Sequence, residues 1–161
     1  MNFIAVLHNI RSLHNVGSIF RTADGAGVRK IYLCGITPAP VDSFSRPVAQ
    51  LVKTSLGAEK SVEWQKVFST ARLLKKLKAD GYKIIAVEQS KKSVPYFKFS
   101  ALRGKVCLIV GNEVRGLPDS VLKLADKILE IPMLGRKESL NVSVAFGIVA
   151  YHLSASRRKK V

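Results

Sequence analysis

Two cysteines, three histidines and eleven acidic residues are all that this 161-residue chain offers to chemistry built on thiolates, imidazoles or carboxylates. Cys34 and Cys107 stand far apart, each behind apolar residues, with no C-x-x-C and no histidine pair beside them. That pattern excludes a disulfide framework and a zinc ribbon, and two reduced core thiols are expected. His8, His14 and His152 fit neither an H-E-x-x-H nor a His-x-Glu spacing, so no metal site is expected. No apolar run approaches the roughly eighteen residues of a membrane span, and no basic amphipathic stretch suits docking on a bilayer, so no membrane partner is expected. The N-terminal "MNFIAVLHNIRS" lacks a basic leader and a small-residue cleavage site. It reads as a first strand of a cytoplasmic protein. A dinucleotide fingerprint is missing from the first strand-to-helix turn, where "LHNIRSLHNVGSIF" stands, and neither a P-loop nor a G-x-S-x-G elbow occurs. No internal repeat or low-complexity tract is visible.

Acid is the scarcest of these resources relative to its opposite. Twenty-seven Lys and Arg against eleven Asp and Glu leave a net charge of +16, which points to a polyanionic partner, nucleic acid before membrane. The length suits one compact domain, residues 1–161, and 47% hydrophobic residues suffice for a sizeable core. The basic and aromatic stretch "QSKKSVPYFKFSALRG" suits RNA contact and a solvated connection equally, and the basic run Ser156–Lys160 reads as a solvated helix end.

Nearly continuous apolar runs recur at residues 3–8, 30–35, 82–88, 105–111 and 127–133. Little polar alternation interrupts them, as expected of strands covered on both faces in a mostly parallel sheet. Helical patterns fall between, giving an α/β fold with helices on both faces. Asn15 is the candidate N-cap of a helix through Thr22 that stops near Gly25 or Gly27, with Asn15 and Arg21 roughly on a common side. Ser69 caps "TARLLKKLKAD", which stops at Gly81; Leu73, Leu74 and Leu77 form its apolar face. The Pro- and Ser-bearing stretch from Thr37 is a loop, followed by helical spacing from Val48 to Leu56.

Three polar clusters stand at strand ends or helix starts, where open α/β sheets bind ligands. The first is "HNVGSIFRTADGAGV", which by itself is accounted for as a capped helix with one solvated arginine. The second is "IVGNEVRGLPDSVL", where Gly111 and Gly116 permit close backbone approach and Asn112 and Glu113 end a buried strand. The third runs from "EIPMLG" into "KESLNVSVAFGIVAYHL". In order and spacing, Asn15–Ala23, Gly111–Leu117 and Ile131–Ala145 resemble the N-x-G-x-x-x-R-T-A, G-N-E-x-x-G-[LI] and I-P-M-x-G…S-L-N-V-S-V-A motifs of the SpoU (TrmH) branch of the SPOUT RNA methyltransferases.

The resemblance implies S-adenosylmethionine-dependent methylation of a ribose 2'-hydroxyl in RNA, on a SPOUT-type sheet closed by a deep C-terminal trefoil knot. It places the cofactor near Glu88, Val110, Gly111, Asn112 and Gly116 on one side. On the other stand Ile131, Pro132, Met133, Leu140 and Ala145. Arg21, Asn15, Glu113, Ser139 and Asn141 match its catalytic positions. A guanidinium, with a pKa above about 12, is a poor base in water, so Arg21 is read as organising ribose and phosphate. Glu113 either balances cofactor charge or holds its loop, and Arg115 is read as meeting RNA. The family pairs as homodimers through the last helix, whose apolar positions circle more than one face. The short chain before the first strand favours tRNA over ribosomal RNA. The alternatives are an rRNA substrate or a catalytically silent RNA-binding protein of the same fold.

Overall fold

A computed structural model describes residues 2–100 and 104–158. Residues 101–103 of the basic, aromatic loop and 159–160 of the terminal basic run lie outside the described residues. In chain order the strands are β1 (Phe3–His8), β2 (Lys30–Cys34), β3 (Glu63–Val67), β4 (Lys83–Val87), β5 (Val94–Pro95), β6 (Val106–Val110) and β7 (Lys127–Glu130). The helices are α1 (Leu13–Ala26), α2 (Ala49–Ser55), α3 (Ala58–Ser61), α4 (Thr70–Ala79), α5 (Asp119–Leu122) and α6 (Val142–Arg158). They surround one seven-stranded sheet of order β3-β2-β1-β6-β4-β7-β5, in which every strand pair is parallel.

Side chains that alternate across the sheet divide the interior in two. Phe3, Ala5 and Leu7 of β1 and Val106, Leu108 and Val110 of β6 face α1, α2 and α6, where Phe20 and Phe146 are fully buried. Ile4 and Val6, with Cys107 and Ile109, face α4 and α5 through Leu73, Leu74, Leu77 and Val121. Each buried Val, Leu, Ile or Phe among these stabilises the fold by about 1.5–3 kcal/mol. Both cysteines are free and buried, and desolvation pushes the Cys34 thiol up to about 11. No helix among the described residues is long and apolar enough to cross a membrane.

Three expectations need correction. Asn15 does not cap α1: Ser12 does, its side chain accepting from the Asn15 N–H at 3.2 Å. With the helix under way at Leu13, six residues at about 100° each set Asn15 and Arg21 about 120° apart. Asn15 is buried and Arg21 exposed. The last long strand ends at Glu130, so Ile131, Pro132 and Met133 continue as irregular chain. β3 and β5 have no counterpart among the expected runs: β3 is an edge strand that carries the polar Glu63, Gln65 and Lys66, and β5 is only the two residues Val94–Pro95.

Candidate functional site

Parallel strands send their C-terminal ends to one rim of the sheet, and there the chain leaving β4, β6 and β7 encloses a cleft of about 240 Å³. Its walls are apolar at Val87, Val110, Ile131, Leu140 and Val142. Three of the chain's eleven acidic residues, Glu88, Glu113 and Glu130, also line it, against a single cation among the described residues, Arg115. In a protein of net charge +16 that local excess of acid suits a cationic ligand with an apolar body.

Two glycines shape the floor. A Cβ on Gly111 would stand 2.5 Å from the carbonyl carbon of Gly116 and 2.7 Å from the Leu117 nitrogen, so only glycine lets the two backbone segments touch. Gly116 has φ +64, and a Cβ there would collide with the Glu88 carboxylate. That carboxylate accepts from the N–H of Leu117 at 2.8 Å and of Gln89 at 3.0 Å, fastening the loop after β6 to the end of β4. Asn112 closes the same loop: its Oδ1 accepts from the N–H of Val114 and Arg115 at 3.0 and 2.9 Å, and its Nδ2 donates to the Asn9 carbonyl at 2.8 Å. Gln89 donates to the Glu138 carbonyl at 2.6 Å, joining the segment after β7 to the same floor.

A relay of polar side chains ties the three motif segments together. Glu113 accepts from the Ser12 N–H at 3.0 Å, from the Arg11 N–H at 3.1 Å and from Asn15 Nδ2 at 3.2 Å. Asn15 Oδ1 in turn accepts from Asn141 Nδ2 at 3.1 Å. Asn141 also caps α6, its Oδ1 accepting from the Ser143 N–H at 2.9 Å. Glu113 therefore holds its loop against the positive end of α1, and its oxygens are already engaged. Burial pushes the carboxyl up, but the N–H groups of Ser12 and Arg11 and the Asn15 amide outweigh it and leave the group below its ordinary value.

A carboxyl lowered in the folded state contributes stability above its unfolded pKa and loses it as pH falls through the folded value. Wild type should thus be more stable than Glu113→Gln at pH 7, and the difference should vanish below the usual carboxylate range. Urea unfolding of both proteins at pH 7 and at low pH checks this; a difference that persists in acid contradicts it.

Of the residues singled out in the sequence, the cleft gathers Glu88, Val110, Gly111, Asn112, Glu113, Gly116, Ile131, Met133, Ser139, Leu140 and Ala145. Pro132 lines an adjoining hollow with Met133 and Arg136. Asn15 and Asn141 do not line the cleft: Asn15, buried, donates to Glu113, and Asn141, exposed, donates to Asn15. Arg21 does not line the cleft; it is exposed on α1. Sequence reasoning missed Gln89, Glu130 and Ser12. Glu130 left a trace, as a carboxylate flanked by the apolar Ile128, Leu129 and Ile131, whereas the role of Gln89 depends on a partner 49 residues away.

Comparison with known proteins agrees with this geometry. The model of the SpoU rRNA Methylase family matches residues 2–151. The tRNA (guanosine(18)-2'-O)-methyltransferase of Aquifex aeolicus is 33% identical over 159 residues, which cover 99% of this chain and 72% of that protein. The 23S rRNA (guanosine-2'-O-)-methyltransferase RlmB of Neisseria meningitidis is 34% identical over 158 residues, covering 98% of this chain and 59% of that one. The crystal structure of an AdoMet-bound rRNA methyltransferase from Sinorhizobium meliloti superposes with a TM-score of 0.85 at 30% identity, over 99% of this chain and 57% of its own. Motifs, cleft and relatives coincide along almost the whole length, and the chain belongs to the SpoU rRNA methylase family.

Proposed function

We propose that this protein transfers a methyl group from S-adenosylmethionine to a ribose 2'-hydroxyl of RNA, with tRNA as the substrate. The observation that carries the reading is the Glu113–Asn15–Asn141 relay, which holds three motif segments around one acid-lined cleft in a strongly basic chain. The donor set fits the cofactor: apolar walls for its purine, the main chain of the loop that Gly111 lets pack at the floor, and Glu88 and Glu130 beside a cation. Bound there, S-adenosylmethionine supplies an electrophilic methyl carbon on a positively charged sulfur. The chain has to hold a ribose in line with that carbon and assist loss of the hydroxyl proton. Arg21, exposed on α1, grips the ribose and the neighbouring phosphate, with proton removal shared with that phosphate. Ser139, exposed at the cleft mouth, and Arg115 meet the incoming strand.

The relative from Aquifex aeolicus supports tRNA, and the relative from Neisseria meningitidis keeps ribosomal RNA as the second reading. Titration calorimetry with S-adenosylmethionine, followed by methyl transfer into tRNA and rRNA transcripts, tests the assignment. Saturable cofactor binding and label in tRNA are expected; RNA binding without cofactor binding would instead mark a silent RNA-binding protein.

The same reading treats residues 1–161 as one catalytic domain working in the cytoplasm, where such RNAs are. It also includes a trefoil knot formed as the segment after β7 threads toward α6. The Gln89–Glu138 hydrogen bond, which ties that segment to the end of β4, supports it. Stretching single molecules should stop short of the contour length of 161 residues. A homodimer through α6 completes it: Phe146, Val149 and Leu153 are buried, yet Val144 and Tyr151 are 48% and 53% exposed on another face. Exposed apolar area of that kind is a mark of an interface. Sedimentation at micromolar concentration should find dimers, and a monomer contradicts this.

A further inference from the structure

A second groove of about 590 Å³ opens between α4 and the edge of the sheet at β2 and β3, and nothing in the methyl-transfer account uses it. Its contents are unlike those of the cofactor cleft. Tyr32 and Phe68 supply aromatic rings, Arg72 and Lys76 supply cations, and Asp80 is its only acid. Phe68 follows β3 directly and is 97% exposed, an unusual position for a side chain with no polar atom. Arg72 and Lys76 are four residues apart on α4, so they share one side of that helix along the length of the groove.

The parallel sheet sets where this groove lies relative to the cleft. Phe68 leaves the C-terminal end of β3, and Gly111 leaves the C-terminal end of β6, so both stand on the same rim. Three strand spacings separate β3 from β6 in the sheet order, roughly 14 Å at about 4.8 Å each. A stacked single strand covers that distance in about four nucleotides at about 3.4 Å each.

We infer that the groove is a binding subsite for single-stranded RNA, taking an unstacked base on Phe68 and backbone phosphates on Arg72 and Lys76. It rests on the RNA-methylating reading and adds a second foothold for the same strand. Charge complementarity selects the occupant: two cations against one acid, in a chain of net charge +16, favour a polyanion over an apolar peptide. An exposed ring beside paired cations is the arrangement that sequence-tolerant single-strand binding uses, since every base has a face to stack. A paired duplex keeps its bases stacked and offers Phe68 nothing.

The test compares wild type with Phe68→Ala and with the double variant Arg72→Gln, Lys76→Gln. Fluorescence anisotropy with a labelled, unstructured RNA oligonucleotide and with a tRNA transcript gives the affinities, measured over a range of salt. Phe68→Ala should raise the RNA Kd about fivefold or more. The double variant should lower the slope of log K against log salt by about 1.4, at about 0.7 per phosphate contact in a single strand. Cofactor affinity by calorimetry and the thermal midpoint should match wild type, which separates a lost foothold from a damaged fold. Unchanged RNA affinity and salt slope in both variants, with wild type binding RNA, overturn the subsite and leave the catalytic reading intact. A wild type that neither binds nor methylates RNA overturns both.

Discussion

Arg21→Ala should lower the rate of methyl transfer by about 10²- to 10⁴-fold while leaving cofactor affinity within about twofold of wild type. The split follows from where Arg21 stands. It is outside the lining of the cleft, so its loss removes nothing that holds the cofactor. It is exposed on the helix whose start is pinned to the loop after β6 by Glu113, so its position relative to the cleft is set by α1 and not by its own contacts. A side chain that only aligns the attacking ribose acts in the transition state, and its removal shows in kcat more than in binding. Arg21→Lys keeps the charge but not the planar fork, so it should recover only a small part of the rate. Single-turnover kinetics with saturating RNA checks the prediction. A normal rate in a folded, cofactor-binding Arg21→Ala protein removes Arg21 from the mechanism.

Gly111→Ala should have the opposite signature, weakening S-adenosylmethionine binding by about tenfold or more. Nothing about the backbone angle at Gly111 forbids alanine; the obstacle is space. The atoms a methyl would meet are Gly116 C and O at 2.5 and 2.6 Å and Leu117 N at 2.7 Å, all main chain and unable to swing aside. The loop must move as a unit, and it carries the Leu117 N–H that Glu88 accepts at 2.8 Å. Overpacking of this kind costs about 1–3 kcal/mol, and about 1.4 kcal/mol is a factor of ten in affinity. Calorimetric titration of the variant measures it; wild-type affinity would show that the loop after β6 does not shape the cofactor site.

Strands buried on both faces announce themselves in sequence, which is why β1, β2, β4 and β6 stood out as runs such as "FIAVLH" and "VCLIV". β3 did not, because an edge strand exposes Glu63, Gln65 and Lys66 and reads as a polar stretch. The motif residues were legible as chemistry-bearing, but their partners were not. Glu113 left open whether it balances a charge or fastens a loop, and only contacts 98 to 102 residues distant in the chain show it fastened to Arg11, Ser12 and Asn15. The same contacts explain the cap. Ser12 and Asn15 are both good cap residues by type, and Asn15 is drawn inward to bridge Glu113 and Asn141, leaving Ser12 to start the helix. Sheet order, and with it the second groove at β3, is long-range information that no local pattern carries.

The most direct measurement is product analysis after incubating the purified protein with labelled S-adenosylmethionine and a tRNA transcript. The expected product is one labelled nucleotide whose 3' linkage resists alkaline hydrolysis, because a methylated 2'-oxygen can no longer attack the adjoining phosphate. Label recovered on a base, with that linkage cleaved normally, would contradict it.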